Sequence, residues 1–254
     1  MFVDTHAHLY FEKYDEDRDF LIRSFTENSV EAVITIGTDP INSRECIKLA
    51  EKYHNIYASV GYHPTDLGDL KESDLNDLRS MINHEKVVAI GEAGLDYYWD
   101  NVPREKQKKF FIKQLELSLE ENIPIIIHNR DADSDMMEII ENISPVYSGV
   151  FHCYAGDLKM AEKLIERGFY ISFTGNITYK KSDRSEIIEK LPLNKLLLET
   201  DSPFMTPVPF RGKRNDPNFI KYVAEKIASI KQISLDEVAF HTTENAKRLF
   251  NLNK

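Results

Sequence analysis

The sequence is poor in cysteine. Only Cys46 and Cys153 occur among 254 residues, and they form no Cys-x-x-Cys pair. Such a chain offers no disulfide framework and no zinc–thiolate knuckle, and it reads as one kept reduced in the cytoplasm. Long apolar runs are missing too. No segment approaches the roughly 18–20 residues of a membrane span. The N-terminus, MFVDTHAHLYFEKYDED, lacks the basic region and apolar stretch of a secretory signal. Positive charge is short, with 32 Lys and Arg against 42 Asp and Glu and a net charge of −10. That excludes a global positive field for nucleic acid, so any phosphate must be met by a local basic cluster or by bound cations. No Pro/Gly/Ser-rich linker divides the chain, and one domain over 1–254 is expected.

Hydrophobic residues at 42% suffice for a large core. They fall into two alternating kinds of segment. Short runs rich in β-branched residues lie at 2–6, 31–37, 56–61, 86–91, 124–128, 148–152, 169–173 and 195–200. Their nearly continuous apolar character predicts parallel strands buried on both faces. Longer amphipathic stretches predict helices at 39–53, 103–122, 131–142, 157–167, 217–230 and 234–250. In the second of these Phe111, Leu115 and Leu119 recur four apart behind Pro103, placed at the first helical position. The last opens with Ser234 and Glu237 at capping-box spacing. Alternating units of about 30 residues without a linker predict a (β/α)8 barrel of TIM type. A doubly wound sheet is the alternative, but the glycine-rich phosphate loop expected after an early strand is missing.

Reactive side chains gather at or just past the C-terminal ends of the predicted strands: His6 and His8, His63, Glu92, His128, His152 and Asp201. In a barrel these ends share one face, where active sites are built. Residues two apart on a strand point the same way, so His6 and His8 can hold one ion. An isolated His-x-His is more often chance or core, but here two further histidines and two carboxylates end other strands. The candidate ligands are therefore His6, His8, Glu92, His128, His152 and Asp201. Imidazole and carboxylate donors suit Zn²⁺, Mn²⁺, Ni²⁺ or Co²⁺ and tolerate Mg²⁺. Six ligands exceed the usual set for one zinc, which favours two divalent cations bridged by Glu92. His6, His8 and Asp201 are then on one side, and His128 and His152 on the other. This chemistry suits hydrolysis of a phosphodiester, with Asp201 accepting the proton of the attacking water. His63 either contacts the phosphate or leaving group, or is a strand-end histidine bonded to backbone.

Two basic clusters are candidates for phosphate contact. Lys180, beside Lys181, follows the seventh strand, and Arg211, Lys213 and Arg214 follow the eighth. Each has a plainer reading: a solvated charge run for the lysines, and an ion pair with an acid for Arg214. Tyr97, Tyr98 and Trp99 either stack on bases or pack over the barrel mouth. Strand alternation turns Cys153 away from the face of His152, as a small buried hydrophobe. Glu199 reads as an internal pairing group beside the site. His54, His84 and His241, in helical or turn contexts, read as surface or structural.

The segments DTHAHL (4–9), GYHP (61–64), IGEAGLDYY (90–98), PIIIHNRDA (124–132), GVFHCYAGD (149–157), LLLETDSPFMTP (196–207), PFRGKRNDP (209–217) and TTENAKRLF (242–250) span nearly the whole chain. Together they resemble the TatD family of metal-dependent deoxyribonucleases, within the metal-dependent hydrolase superfamily. The resemblance implies a TIM barrel, dependence on divalent metal, and hydrolysis of ester bonds, typically in DNA. It places metal-binding roles on His6, His8, Glu92, His128, His152 and Asp201. Related binuclear barrels often bridge with a carboxylated lysine, where this chain has Glu92. Ala7, Tyr10, Trp99 and Asn129 depart from residues common in the family. None is a proposed ligand, but Tyr10 and Trp99 would line the mouth and bear on substrate preference. DNA is the expected substrate and a cytoplasmic monomer without an obligate protein partner the expected form. The competing readings are a metal-dependent hydrolase of a small amide, lactone or phosphotriester, and a non-catalytic metal-binding protein.

Overall fold

The computed structural model describes residues 1–143 and 148–252. Eight strands form one sheet in chain order: β1 (Phe2–Ala7), β2 (Val30–Ile36), β3 (Ile56–Val60), β4 (Val87–Asp96), β5 (Ile125–Arg130), β6 (Gly149–Phe151), β7 (Tyr170–Phe173) and β8 (Leu196–Leu198). Every neighbouring pair is parallel. Consecutive order rules out the doubly wound alternative, whose strand order reverses at a switch point. The helices are α1 (Arg18–Arg23), α2 (Pro40–Lys52), α3 (Leu75–Ile82), α4 (Arg104–Glu120), α5 (Asp133–Asn142), α6 (Leu158–Glu166), α7 (Ser185–Lys190), α8 (Ile220–Lys231) and α9 (Leu235–Phe250). One helix separates each strand from the next, and α8 and α9 follow β8. The protein is a TIM-like barrel.

Local chemistry sets the helix ends. The Asp39 carboxylate accepts from the amides of Ile41 and Asn42, both at 2.7 Å, with Pro40 opening α2. The Ser234 hydroxyl accepts from Glu237 N at 3.1 Å and starts α9. Pro103 stands one position earlier than its sequence suggests. It is the N-cap of α4, and its carbonyl accepts from the Lys106 and Gln107 amides. Phe111 and Leu115 are buried as the four-residue spacing predicts, but Leu119 is half exposed. A spacing of four drifts off one face of a 3.6-residue helix over eight positions.

The seam between β1 and the segment after β8 positions the site. Ala7 pairs in parallel with Ser202. The Asp201 amide donates to His6 O at 2.9 Å, and the His8 amide to Ser202 O at 2.7 Å. Beneath them the buried Asp4 carboxylate accepts from Thr200 N at 3.0 Å and Thr200 Oγ1 at 2.6 Å. These bonds fix His6 and His8 opposite Asp201. The far end of the barrel is stopped by α9. Ala246, Leu249 and Phe250 pack with Ala32, Ile34, Ala89, Ile126, Val150 and Leu197 in one apolar cluster. A larger cluster joins the other strand face to the surrounding helices.

Two buried glutamines on α4 tie strand ends to that helix. Gln114 accepts from Tyr62 N at 2.8 Å and donates to Tyr62 O at 3.1 Å, next to His63. Gln107 makes the same pair of bonds with Asp96, at 2.8 and 2.9 Å. Seven residues apart, they share one helix face. Substituting Gln114→Leu leaves a buried donor and acceptor of Tyr62 unpaired. At ~1–3 kcal/mol per group the expected cost is about 2–6 kcal/mol. Urea unfolding measures it, and a wild-type midpoint would show that α4 does not hold this loop.

Candidate metal centre

Glu92 lies at the centre of the reactive cluster. It is 4% exposed, within β4. Its two oxygens face different partners. Oε2 is 3.3 Å from His6 Nε2 and 3.9 Å from His8 Nε2. Oε1 is 2.7 Å from His128 Nδ1, 2.8 Å from His152 Nε2 and 3.5 Å from His63 Nε2. Asp201 belongs to the Oε2 side, with Oδ1 at 3.5 Å from His8 Nε2 and 3.8 Å from His6 Nε2. The structure thus brings together His6 and His8 from β1 and the residue just past it, Glu92 and His128 from within β4 and β5, and His152 and Asp201 from just past β6 and β8.

The surroundings orient these rings. His8 Nδ1 is 3.3 Å from Ile36 O, and His63 Nδ1 is 2.7 Å from Thr65 Oγ1, which turns each Nε2 inward. His6 stacks on His152 with ring centroids 4.1 Å apart. Two further carboxylates stand behind the rings. Asp96 Oδ2 is 2.9 Å from His128 Nε2, and Glu199 Oε1 is 3.5 Å from His152 Nδ1. Glu199 is fully buried and accepts from the Cys153 amide at 2.6 Å and the Ser172 hydroxyl at 2.6 Å.

Electrostatics keep the acids charged. Burial pushes Glu92 up, but His152, His63 and His6 outweigh it and hold the carboxyl well below its usual range. Burial is likewise opposed at Asp201 by the His8 contact and the imidazoles, and at Asp96 by His128, and both fall below the usual value. Burial and the neighbouring His152 push His6 down, which favours its neutral form. Although His6 Nε2 is close to Glu92, neither ring nitrogen of His6 makes a hydrogen bond among the described residues. A buried neutral imidazole with free nitrogens, facing an ionised carboxylate, fits a divalent cation. Three groups place their potential donor atoms within 4.8 Å of one another: His6, His8 and Glu92; His6, His152 and Glu199; and His63, Glu92 and His128.

The cluster, apart from the fully buried His6, forms the floor of a cavity of about 630 Å³ whose rim includes Phe11, Trp99, Phe204 and Met205. The predicted phosphate-contacting residues do not line it. Lys180, Arg211 and Lys213 are exposed. Arg211 lies over the Tyr179 ring at 4.4 Å, and Lys213 over Phe210 at 5.6 Å. Arg214 takes its plainer reading, with both terminal nitrogens on the Asp17 carboxylate at 2.7 and 2.6 Å. Tyr97 packs, its hydroxyl donating to Asp135 at 2.6 Å, whereas Trp99 is exposed on the cavity rim. Outside the cavity, His84 pairs with Glu51 at 3.1 Å and His241 lies against Phe240.

Two cavity residues escaped the strand-end reading. β4 continues to Asp96, five residues beyond its expected end, so Asp96 is on the strand rather than in a loop. Its separation of four from Glu92 was the available signal. Arg130 ends β5 two residues after His128, on the same side. Cys153 also differs from expectation. β6 stops at Phe151 and Cys153 has φ 43°, so strand alternation ends and the residue joins the cavity lining. Burial pushes its thiol up to about 12, which keeps it protonated and leaves it no nucleophilic role at neutral pH.

Known proteins share this arrangement of chain. The sequence pattern described as TatD related DNase matches residues 3–251. The chain is 45% identical to the Bacillus subtilis protein called uncharacterized metal-dependent hydrolase YabD, over 100% of both. It is 36% identical to the Escherichia coli protein called uncharacterized metal-dependent hydrolase YcfH, over 99% of this chain and 96% of that one. Among solved structures, the TatD homolog YJJV of Escherichia coli superposes with a TM-score of 0.92 at 32% identity, covering 98% of each chain. A dihydroorotase at 15% identity, with a TM-score of 0.67 over 99% of this chain and 83% of that one, shares the fold. With a match of this extent and a buried imidazole–carboxylate cluster at the mouth of its barrel, the chain belongs to the TatD family of metal-dependent hydrolases.

Proposed function

We propose that the protein is a deoxyribonuclease that cleaves DNA phosphodiesters at the cluster around Glu92. The observation that carries this reading is the division of the Glu92 carboxylate, with one oxygen facing His6 and His8 and the other facing His128, His152 and His63. Such a division suits two cations a bridge apart, an arrangement used on phosphodiesters. His6, His8 and Asp201 would hold one, His128 and His152 the other, with Glu92 common to both. When bound, the cations supply Lewis acidity that makes water a nucleophile near neutral pH and neutralises charge on the phosphoryl group.

The residues do the rest. Asp201, ionised and at the cavity surface, accepts the proton of the attacking water. Glu199 and Asp96 hold the rings of His152 and His128 in place from behind. His63, with Nε2 turned into the cavity, contacts the phosphate or the leaving oxygen. Lys180, Arg211 and Lys213 reach more distant phosphates. We place the protein in the cytoplasm as a monomeric single domain, its cysteines reduced. No described helix is long and apolar enough to cross a membrane.

A small-molecule ester or amide is the second reading, favoured by a rim of Phe11, Phe204 and Met205 and by the acidity of the cavity. One panel separates the two. Metal-stripped protein is reloaded with Mg²⁺, Mn²⁺, Zn²⁺, Ni²⁺ or Co²⁺ and offered single- and double-stranded DNA, RNA, and small phosphate and amide esters. DNA cleavage that chelator abolishes and metal restores is expected. Turnover of a neutral small ester with DNA left intact would replace the nuclease reading.

A further inference from the structure

We infer that Arg130 is the anion anchor of the cavity and binds the substrate phosphate next to the one cleaved. This rests on the reading of a phosphate-bearing substrate and names a residue to which that reading gives no part. Three observations support it. Among the described residues, Arg130 is the only lysine or arginine lining the cavity, where the other charged groups include Asp66, Glu92, Asp96 and Asp201. Among the described residues no carboxylate lies within ion-pairing distance of it, whereas Arg214 is held on both terminal nitrogens by Asp17. An exposed arginine in a protein of net charge −10 has acids to choose from. This one is instead held over the Tyr98 ring, 3.8 Å from its centroid.

That stacking presets the guanidinium. A planar cation lying on an aromatic face loses rotamer freedom before the ligand arrives and keeps its edge donors for a bidentate contact with phosphate. The support beneath it is rigid. Asp96 Oδ1 accepts from Tyr98 N at 3.0 Å and Trp99 N at 3.2 Å, while Asp96 Oδ2 meets His128 at 2.9 Å. Arg130 O accepts from Tyr97 N at 2.8 Å. The aromatic turn, the arginine and His128 are therefore fixed to one another through Asp96. Two residues along a strand amount to about 6–7 Å, which sets Arg130 one step further out than His128. Such a step suits a neighbouring phosphate of the same strand, with Trp99 on the rim beside it as a base-stacking surface.

Trp99 is the single tryptophan of the chain and so reports binding without turnover. Metal-loaded protein is titrated with trithymidylate carrying cleavage-resistant phosphorothioate links, at several salt concentrations, for wild type, Arg130→Gln and Arg130→Lys. Steady-state cleavage of ordinary trithymidylate is measured in parallel. The expected result for Arg130→Gln is a dissociation constant raised roughly tenfold, with a salt slope smaller by about one. KM should rise and kcat stay within a few-fold, and Arg130→Lys should recover the salt slope but only part of the affinity. Unchanged affinity and salt slope in Arg130→Gln, with unchanged melting, would overturn the inference. So would a fall in kcat at constant affinity. The nuclease reading fails separately, if the wild type binds through Arg130 but cleaves no trithymidylate.

Discussion

Glu92→Gln is expected to lower hydrolysis by about a thousandfold or more, equivalent to ~4 kcal/mol of transition-state stabilisation. The substitution keeps shape and removes charge. An amide presents one acceptor oxygen, so it can serve the His6–His8 side or the His128–His152 side but not both. Five histidines now surround the carboxylate within 3.9 Å, and among the described residues no other acid contacts both groups of rings as closely. The barrel itself should remain folded, because neither the stacking of His6 on His152 nor the seam bonds involve the Glu92 side chain. Circular dichroism checks the fold, elemental analysis the metal content and a turnover assay the rate. Wild-type activity with wild-type metal content would reject the role given to this residue.

Asp201→Asn is the second large effect, a loss of about 10²–10⁴-fold, the range for removing a positioned proton acceptor. Asparagine is the right probe. Asp201 has φ 52°, a left-handed backbone that asparagine tolerates better than most residues, so the seam need not move. Its amide bond to His6 O is retained. The amide side chain cannot take the proton of water and is a weaker partner for a cation beside His8. The loss should therefore appear in kcat with the fold intact. A rate within threefold of wild type would assign the proton to another acceptor.

The barrel was legible because each strand is a short apolar run and each helix has one apolar stripe, two periods that do not resemble each other. Convergence at the mouth followed from that alone. His6 and Asp201 are 195 positions apart in the sequence, yet consecutive strand order and the Ala7–Ser202 bridge return them to contact. Strand ends were harder. β4 runs through Gly91 and Gly94, both at positive φ, and sequence pattern alone takes the first glycine for the end of the strand. Asp96, and through it the aromatic turn under Arg130, was lost at that step. Arg214 was harder to read for a different reason. Arg211 to Arg214 are contiguous in sequence, but whether a guanidinium is free depends on distant acids. Asp17, which takes Arg214, lies 197 positions away.

In the proposed reaction the Glu92 carboxylate is shared between two cation positions. Anomalous diffraction from crystals equilibrated with Mn²⁺ tests it most directly. Two peaks are expected in the cavity, one beside His6, His8 and Asp201 and one beside His128 and His152, with Glu92 touching both. A cavity without a peak, or with ions held only by residues away from Glu92, would contradict it.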